Sequence, residues 1–408
     1  MRFNEWRELT LGDIADITMG QSPKGEFCNN NGEGIALLNG PTEFGEHHPY
    51  PTQFTVDVKK WARKGDLLFC VRGSTTGRMN WADRDYAIGR GIAAISPKND
   101  NTDRFIKCFI EVKLPQLLKM ATGSTFPNVS RGMLADLTKQ MPEYDEMVRI
   151  NNFIRSIDEK IETNNEINKK LEDMAQAIFK QWFVDFEFPN ENGEPYKSSG
   201  GEIVESEMGM IPKGWKVIKL EELCEIKTKS EKPFENPEKI YEHFSLPACD
   251  SGKLPVIERG KSISSNKYKI DNNCILISKL NPSTKRIWDP LCNSENAICS
   301  TEFIVFKPRN EDLKSFCYEV VNADSFTEFL LSNVTGSTGS RQRVQPKNTL
   351  NYKVVLANQE IIQSFCNIIE PIHEKIKLTI AESDKLKNTR DILLPKLMSG
   401  EIRVPINN

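Results

Sequence analysis

The chain has 408 residues and a net charge of -3, with 38% hydrophobic and 27% charged residues. That length predicts about two to three domains, and the composition describes a soluble chain with enough apolar residues for real cores. It excludes a bilayer-spanning protein, since no apolar run approaches roughly 20 residues, and its ten scattered cysteines and four histidines exclude a zinc-stapled or disulfide-framed one.

A mean hydropathy of -0.48 agrees. The opening MRFNEWRELTLGDIADI holds acids and a Trp where a secretory signal would hold an apolar stretch. The expectation is a cytoplasmic protein with buried, reduced thiols. Lys+Arg against Asp+Glu stand at 18 to 18 for residues 1–145 and 7 to 11 for 146–200. They stand at 22 to 21 for 201–355 and 7 to 7 for 356–408. No block is basic, so any nucleic-acid surface must be a local concentration of cations balanced by acids elsewhere.

In chain order, Trp6-Arg7 with Leu11, Ile14 and Ile17 spaces its apolar residues as a strand or a short amphipathic helix opening a domain. GDLLFCVRGS (65–74) and AIGRGIAAISPKN (87–99) read as buried strands, the second ending in a Pro turn. GRGIAAI has two glycines at the wrong spacing for a nucleotide loop, so a tight turn is the expectation. Three polar loops lie between these runs: MGQSPKG (19–25), VRGSTTGR (71–78) and TGSTFPNVSRG (122–132).

A long helix follows. From Ile150 the apolar positions step by four and three through Ile154, Ile157 and Ile161, then Leu171, Ala175, Ile178 and Trp182. That is a heptad seam, and no Gly or Pro interrupts 146–183. After it, 188–214 has the Gly, Pro, Ser and Glu composition of a linker, with turn signals at Asn192-Gly193 and Lys213-Gly214.

The chain is then written a second time, about 210 residues later. Trp215-Lys216 with Leu220, Leu223 and Ile226 repeats the opening. NNCILISKLNP (272–282) and AICSTEFIVFKPRN (297–310) echo the two apolar runs. Thr335-Gly336-Ser337-Thr338 repeats Thr122-Gly123-Ser124-Thr125 letter for letter. The loops return as KTKSEKP (227–233), SKLNPSTKR (278–286) and TGSTGSRQRVQPKN (335–348). A second long helix steps through Phe365, Ile369, Ile372 and Ile376, then Leu386, Leu393 and Leu397. Pro371 is expected to kink it or delay its regular part. Both seams are polar at their middle, with Asn164 and Asn168 in one and Thr379 and Ser383 in the other. Antiparallel pairing would set Asn164 against Ser383 and Asn168 against Thr379; polar core residues of this kind fix register at a cost in stability.

No catalytic motif accompanies these elements. The chain has no Walker loop, no Gly-rich methyltransferase cofactor loop, and no Asn/Asp-Pro-Pro-aromatic motif. His47-His48 has no ligand partner at metal spacing. Asp83 and Asp85 read as surface acids. What remains are loops mixing hydroxyls, Gly and Arg/Lys, a combination that holds phosphates and reaches base edges. The candidate DNA-facing residues are Gln21, Ser22, Lys24, Arg72, Ser74, Thr75, Arg78, Arg90, Ser124 and Arg131 in the first copy. In the second they are Lys229, Lys279, Lys285, Arg286, Ser337, Arg341, Gln342, Arg343 and Lys347. The candidate helix-pairing residues are Ile154, Ile157, Ile161, Asn164, Asn168, Leu171, Ile178, Ile369, Ile376, Thr379, Ser383, Leu386 and Leu393.

This arrangement resembles the specificity subunits of Type I restriction-modification systems. The most specific segments are IFKQWFVDFEFPNENGEPYKSSGGEIVESEMGMIPKGW (178–215) and LLPKLMSGEIRV (393–404), with the duplicated TGST and the opening Trp-x-x-x-x-Leu. The resemblance implies an α+β fold of two similar α/β target-recognition domains separated by two long antiparallel coiled-coil helices. Its parts are recognition domains over 1–145 and 215–357, helices over 146–187 and 358–400, the linker 188–214 and a tail 401–408. It implies that each domain reads one half of a split duplex DNA target. The helices would set the spacing and dock two methyltransferase subunits, and through them restriction subunits. No cofactor is expected on this chain, with S-adenosylmethionine, ATP and Mg belonging to the partners. Two other readings compete: a coiled-coil scaffold without DNA contact, and a stand-alone DNA-modifying enzyme.

Overall fold

The computed structural model describes residues 6–45, 47–121, 127–335 and 342–405. They form two compact units, one built from residues 1–161 with 385–408, the other from 162–384.

The first unit opens with the strand Arg7–Thr10, the short helix Leu11–Ile14 and the strand Ala15–Met19. The helix starts where it does because Thr10 caps it: its hydroxyl accepts from the Asp13 N–H while the Asp13 carboxylate accepts from the Thr10 N–H, at 3.1 and 2.8 Å. The strand that follows joins a four-stranded antiparallel sheet ordered Ala15–Met19, Ile92–Pro97, Leu67–Cys70 and Met79–Trp81. Leu67–Cys70 is an unbroken apolar run, and all four residues are buried. A five-stranded sheet runs Cys28–Asn29, Gln53–Thr55, Ile35–Leu38, Tyr86–Ile88 and Trp61–Ala62, with its one parallel pair between Ile35–Leu38 and Tyr86–Ile88.

The second unit repeats this plan. Its four-stranded sheet runs Cys224–Ile226, Phe303–Pro308, Ile275–Ser278 and Ile287–Trp288. Its five-stranded sheet runs Ser230–Glu231, Lys267–Lys269, Ala297–Ser300, Ile240–Phe244 and Val256–Arg259, again with one parallel pair, between Ile240–Phe244 and Ala297–Ser300. The sequence echoes therefore lie on equivalent strands: Leu67–Cys70 answers Ile275–Ser278, and Ile92–Pro97 answers Phe303–Pro308. Within the five-stranded sheets the symmetry breaks at the edge. The short edge strand Cys28–Asn29 pairs with Gln53–Thr55, whereas Ser230–Glu231 pairs with Lys267–Lys269 at the opposite edge of its sheet.

The two long helices span Tyr144–Phe183 and Gln359–Ser399, and each passes from one unit into the other. Within each unit their segments run antiparallel. In the first, Ile150 and Ile154 share a core with Leu397 and Met398, and Arg390 donates to Asp158 at 2.8 Å. In the second, Phe179, Trp182 and Phe183 pack on Phe365. Ile157, Ile161, Ile369 and Ile376 are buried, while Leu171, Ile178, Leu386 and Leu393 are half-buried. At the polar layer, buried Asn164 donates from Nδ2 to Ser383 Oγ at 3.1 Å and to Glu382 Oε2 at 3.0 Å. Asn168 and Thr379 do not follow the expected pattern. The Thr379 hydroxyl donates back to Lys375 O on its own helix at 2.7 Å, and Asn168 Oδ1 is buried without a hydrogen-bond partner among the described residues. The second helix also runs through Pro371 without delay, since it already begins at Gln359.

The segment read as a linker is packed. Phe188 stacks on Tyr196 at 4.5 Å and on Trp215 at 4.8 Å, and Ile203–Ser206 pairs with Gly209–Pro212 as a hairpin. Polar composition hid it, because a few aromatic anchors order an otherwise hydrophilic stretch. The turn signals hold, with Gly193 and Gly214 both at positive φ, 77° and 86°. Among the described residues no helix is long and apolar enough to cross a membrane.

Candidate nucleic-acid interface

In each unit a hairpin loop, a strand-to-strand turn and a third segment are tied into one loop cluster by main-chain hydrogen bonds. In the first unit Cys70 N–H donates to Arg78 O, Val71 N–H to Gly91 O and Val129 N–H to Val71 O, each at 2.9 Å. In the second, Ser278 N–H donates to Arg286 O, Lys279 N–H to Glu302 O and Val344 N–H to Lys279 O, each at 3.0 Å. The same pattern therefore equates Cys70 with Ser278, Arg78 with Arg286, Gly91 with Glu302 and Asn128 with Arg343. The left-handed turn position is held by Gly73 in one copy and Asn281 in the other, at φ 92° and 48°, the residue types that tolerate it.

The glycines of the first cluster answer to close backbone approach. A Cβ on Gly20 would lie 2.1 Å from Gly89 O, and one on Gly91 would lie 2.2 Å from Asn39 O. Gly20 N–H donates to Ile92 O and Gln21 N–H to Ile88 O, both at 2.9 Å. Ser22 Oγ accepts from Arg90 N–H at 3.2 Å and donates to Asn39 Oδ1 at 3.3 Å.

The candidate cations divide into two sets. Arg78 donates to Pro41 O and Phe44 O at 3.2 and 2.7 Å. Its equivalent Arg286 makes a fork to both Asp250 oxygens at 2.6 and 2.9 Å, and that hydrogen bonding holds its guanidinium above its ordinary pKa. Lys279 Nζ donates to Thr301 O at 2.6 Å, and Arg131 Nε to Ile17 O at 3.1 Å. These four are tied to the scaffold by hydrogen bonds, while Arg78 and Arg131 remain exposed and Arg286 and Lys279 half-exposed. Sequence alone could not separate them, because the acceptors are distant carbonyls and a distant carboxylate.

The other set faces outward. Arg90, Lys229 and Lys347 are exposed with no ion pair among the described residues. Lys24 is 79% exposed beside Glu26 at 3.7 Å, and Lys285 lies 3.4 Å from Asp324. Arg72 donates from Nε to Asn128 Oδ1 at 3.2 Å, and Arg343 from Nη2 to Glu302 Oε1 at 2.9 Å. Gln21, Ser74 and Thr75 are exposed and Gln342 half-exposed, its carbonyl accepting from Asn281 N–H at 2.8 Å. Ser124, Ser337 and Arg341 lie outside the described residues. Sequence reasoning missed Asn128, Glu302 and Asn39. The first two lie within segments already singled out, and only long-range pairing signals their role. Among the described residues no three His, Cys, Asp or Glu side chains are grouped to hold a metal ion.

The family model described as the Type I restriction modification DNA specificity domain matches twice, over residues 4–173 and again over 212–388. The chain belongs to that family. Its two specificity domains account for the repeat in sequence and in strand order. Among similar curated proteins is the Type I restriction enzyme MjaIX specificity subunit of Methanocaldococcus jannaschii, 26% identical over 431 residues, covering 98% of this chain and 94% of that one. The Type I restriction enzyme HindI specificity subunit of Haemophilus influenzae is 24% identical over 476 residues, covering 98% and 100%. A crystal structure of the Type I restriction-modification system S subunit from M. genitalium has a similar fold, with a TM-score of 0.58, 17% identity and coverage of 100% and 98%.

Proposed function

We propose that this specificity subunit reads a bipartite, asymmetric duplex DNA target, one half with each loop cluster, and performs no chemistry itself. The long helices fix the distance between the halves and dock two methyltransferase subunits, and through them the restriction subunits. S-adenosylmethionine, ATP and Mg act on those partners, in the cytoplasm. At about 1.5 Å per residue, helices of 40 and 41 residues are each about 60 Å long, enough to serve half-sites one duplex turn, about 34–36 Å, apart.

The observation that carries this reading is the equivalence of the two loop clusters: one backbone framework, different exposed side chains. A scaffold without DNA contact has no use for duplicated cationic loops. The test is direct. The purified chain should bind duplex DNA with an affinity that falls steeply with salt, and should gain methylation activity only when a methyltransferase partner and S-adenosylmethionine are added. Robust methylation by the isolated chain, or binding indifferent to salt, would refute it.

A further inference from the structure

Asn128 and Arg343 occupy the same place in the two units. Each forms an isolated bridge to the hairpin loop, Asn128 with Arg72 and Arg343 with Leu280. Each is followed by a buried valine, Val129 or Val344, whose N–H is tied to the equivalent strand end. The main-chain ties to the hairpin loop and to the strand end are thus the same in both copies, and Arg343 in addition pairs with Thr335 in a two-residue ladder. The side chain at the position differs, and in both units it is exposed.

Each exposed side chain is also held by a neighbour that has no counterpart in the other copy. Arg72 donates to Asn128 Oδ1, where the second unit has Leu280. Glu302 accepts from Arg343 Nη2, where the first unit has Gly91. A planar polar group held by a neighbour presents its exposed edge in a set direction. Asn128 then offers Nδ2 as donor and the second lone pair of Oδ1 as acceptor, the pattern that matches adenine N6 and N7, whereas the Arg343 side chain, 55% exposed, carries N–H donors, the pattern that matches guanine O6 and N7.

We propose that Asn128 and Arg343 are equivalent specificity-determining residues, Asn128 selecting an adenine and Arg343 a guanine in the half-target of its own unit. Arg72 and Glu302 are their positioning residues. This rests on the reading of the chain as a two-part DNA reader, and goes beyond it by naming the position and the bases.

The test is selection of bound duplexes from a randomised duplex library by the full chain, followed by sequencing. The wild-type chain should require an A·T pair in one half and a G·C pair in the other, each preferred about 5- to 100-fold over other pairs. Asn128→Arg should change the first requirement to G·C and leave the second half untouched; Arg343→Asn should do the converse. Preservation of the untouched half reports that each variant is folded. If either swap abolishes selection in both halves, Asn128→Ala and Arg343→Ala decide, each being expected to relax one base pair only. Glu302→Ala should loosen selection at the guanine while Glu302→Gln, which keeps an acceptor for Arg343, should restore most of it. A bipartite preference that neither swap moves would overturn this inference and leave the two-part reading standing. No sequence preference in the wild-type chain would overturn both.

Discussion

The aromatic cluster at the end of the first long helix offers a sharp stability test. Phe183 is buried, with ring centroids at 4.9 Å from both Phe316 and Phe365, 5.3 Å from Phe179 and 5.7 Å from Trp215. Those neighbours come from the first long helix, the helix Lys314–Asn322, the second long helix and the end of the packed connection. Because they sit on separate elements, no single shift can close the space that Phe183→Ala would leave. Loss of a buried Phe costs about 3–5 kcal/mol. For a unit of about 220 residues, each kcal/mol lowers Tm by about 2–4 °C. A loss of about 4 kcal/mol is therefore a drop of about 8–16 °C. Scanning calorimetry of the full chain is the assay. The transition of the second unit should fall by that amount, while that of the first unit, whose core lacks Phe183, should move far less. A drop under about 2 °C, or an equal shift of both transitions, would refute the reasoning.

The helices and the second sheet supply two more tests. Inserting one heptad into both long helices, beside Asn164 and beside Ser383, adds about 10 Å and keeps the seam in register. The spacer of the preferred DNA target should lengthen by about three base pairs with both half-sites unchanged, and an unchanged spacer in the duplex selection would sink the ruler. Burial lowers the pKa of His243 despite its 2.6 Å contact with Glu258. The unfolded chain then binds the proton first, so stability should fall as pH drops below about 6.5. His243→Gln should flatten the urea-melt stability slope between pH 7 and pH 5, roughly the window just below the ordinary histidine value; an unaltered slope would remove His243 as its source.

Much of the fold was legible because burial leaves a periodic mark. Leu67–Cys70 and Ile275–Ser278 are nearly unbroken apolar runs, and both are buried strands. The heptad steps placed Asn164 and Ser383 at one level, where they meet. What escaped depends on partners distant in sequence. Arg78 and Arg72 look alike in the string VRGSTTGR, yet one is bound to carbonyls of Pro41 and Phe44 and the other holds Asn128. Nothing local distinguishes a cation bound to the scaffold from one that faces outward. The opposite docking of Cys28–Asn29 and Ser230–Glu231 escaped for the same reason: a two-residue strand has no periodicity of its own, and its edge is chosen by the sheet.

Because the first unit is assembled from residues 1–161 and 385–408, a ribosome cannot finish it in the order in which it begins. Residues 162–384, and with them all of the second unit, are synthesised before Leu397 and Met398 emerge. Until then Ile150 and Ile154 lack that part of their cover, and the ring of Trp6 lacks the backbone of Gly400 beside it. The later-encoded unit is therefore the one free to fold first. The earlier one waits, with an apolar stripe exposed, for the returning end of the second helix. Synthesis that halts near residue 384 yields a finished second unit joined to a first that cannot close.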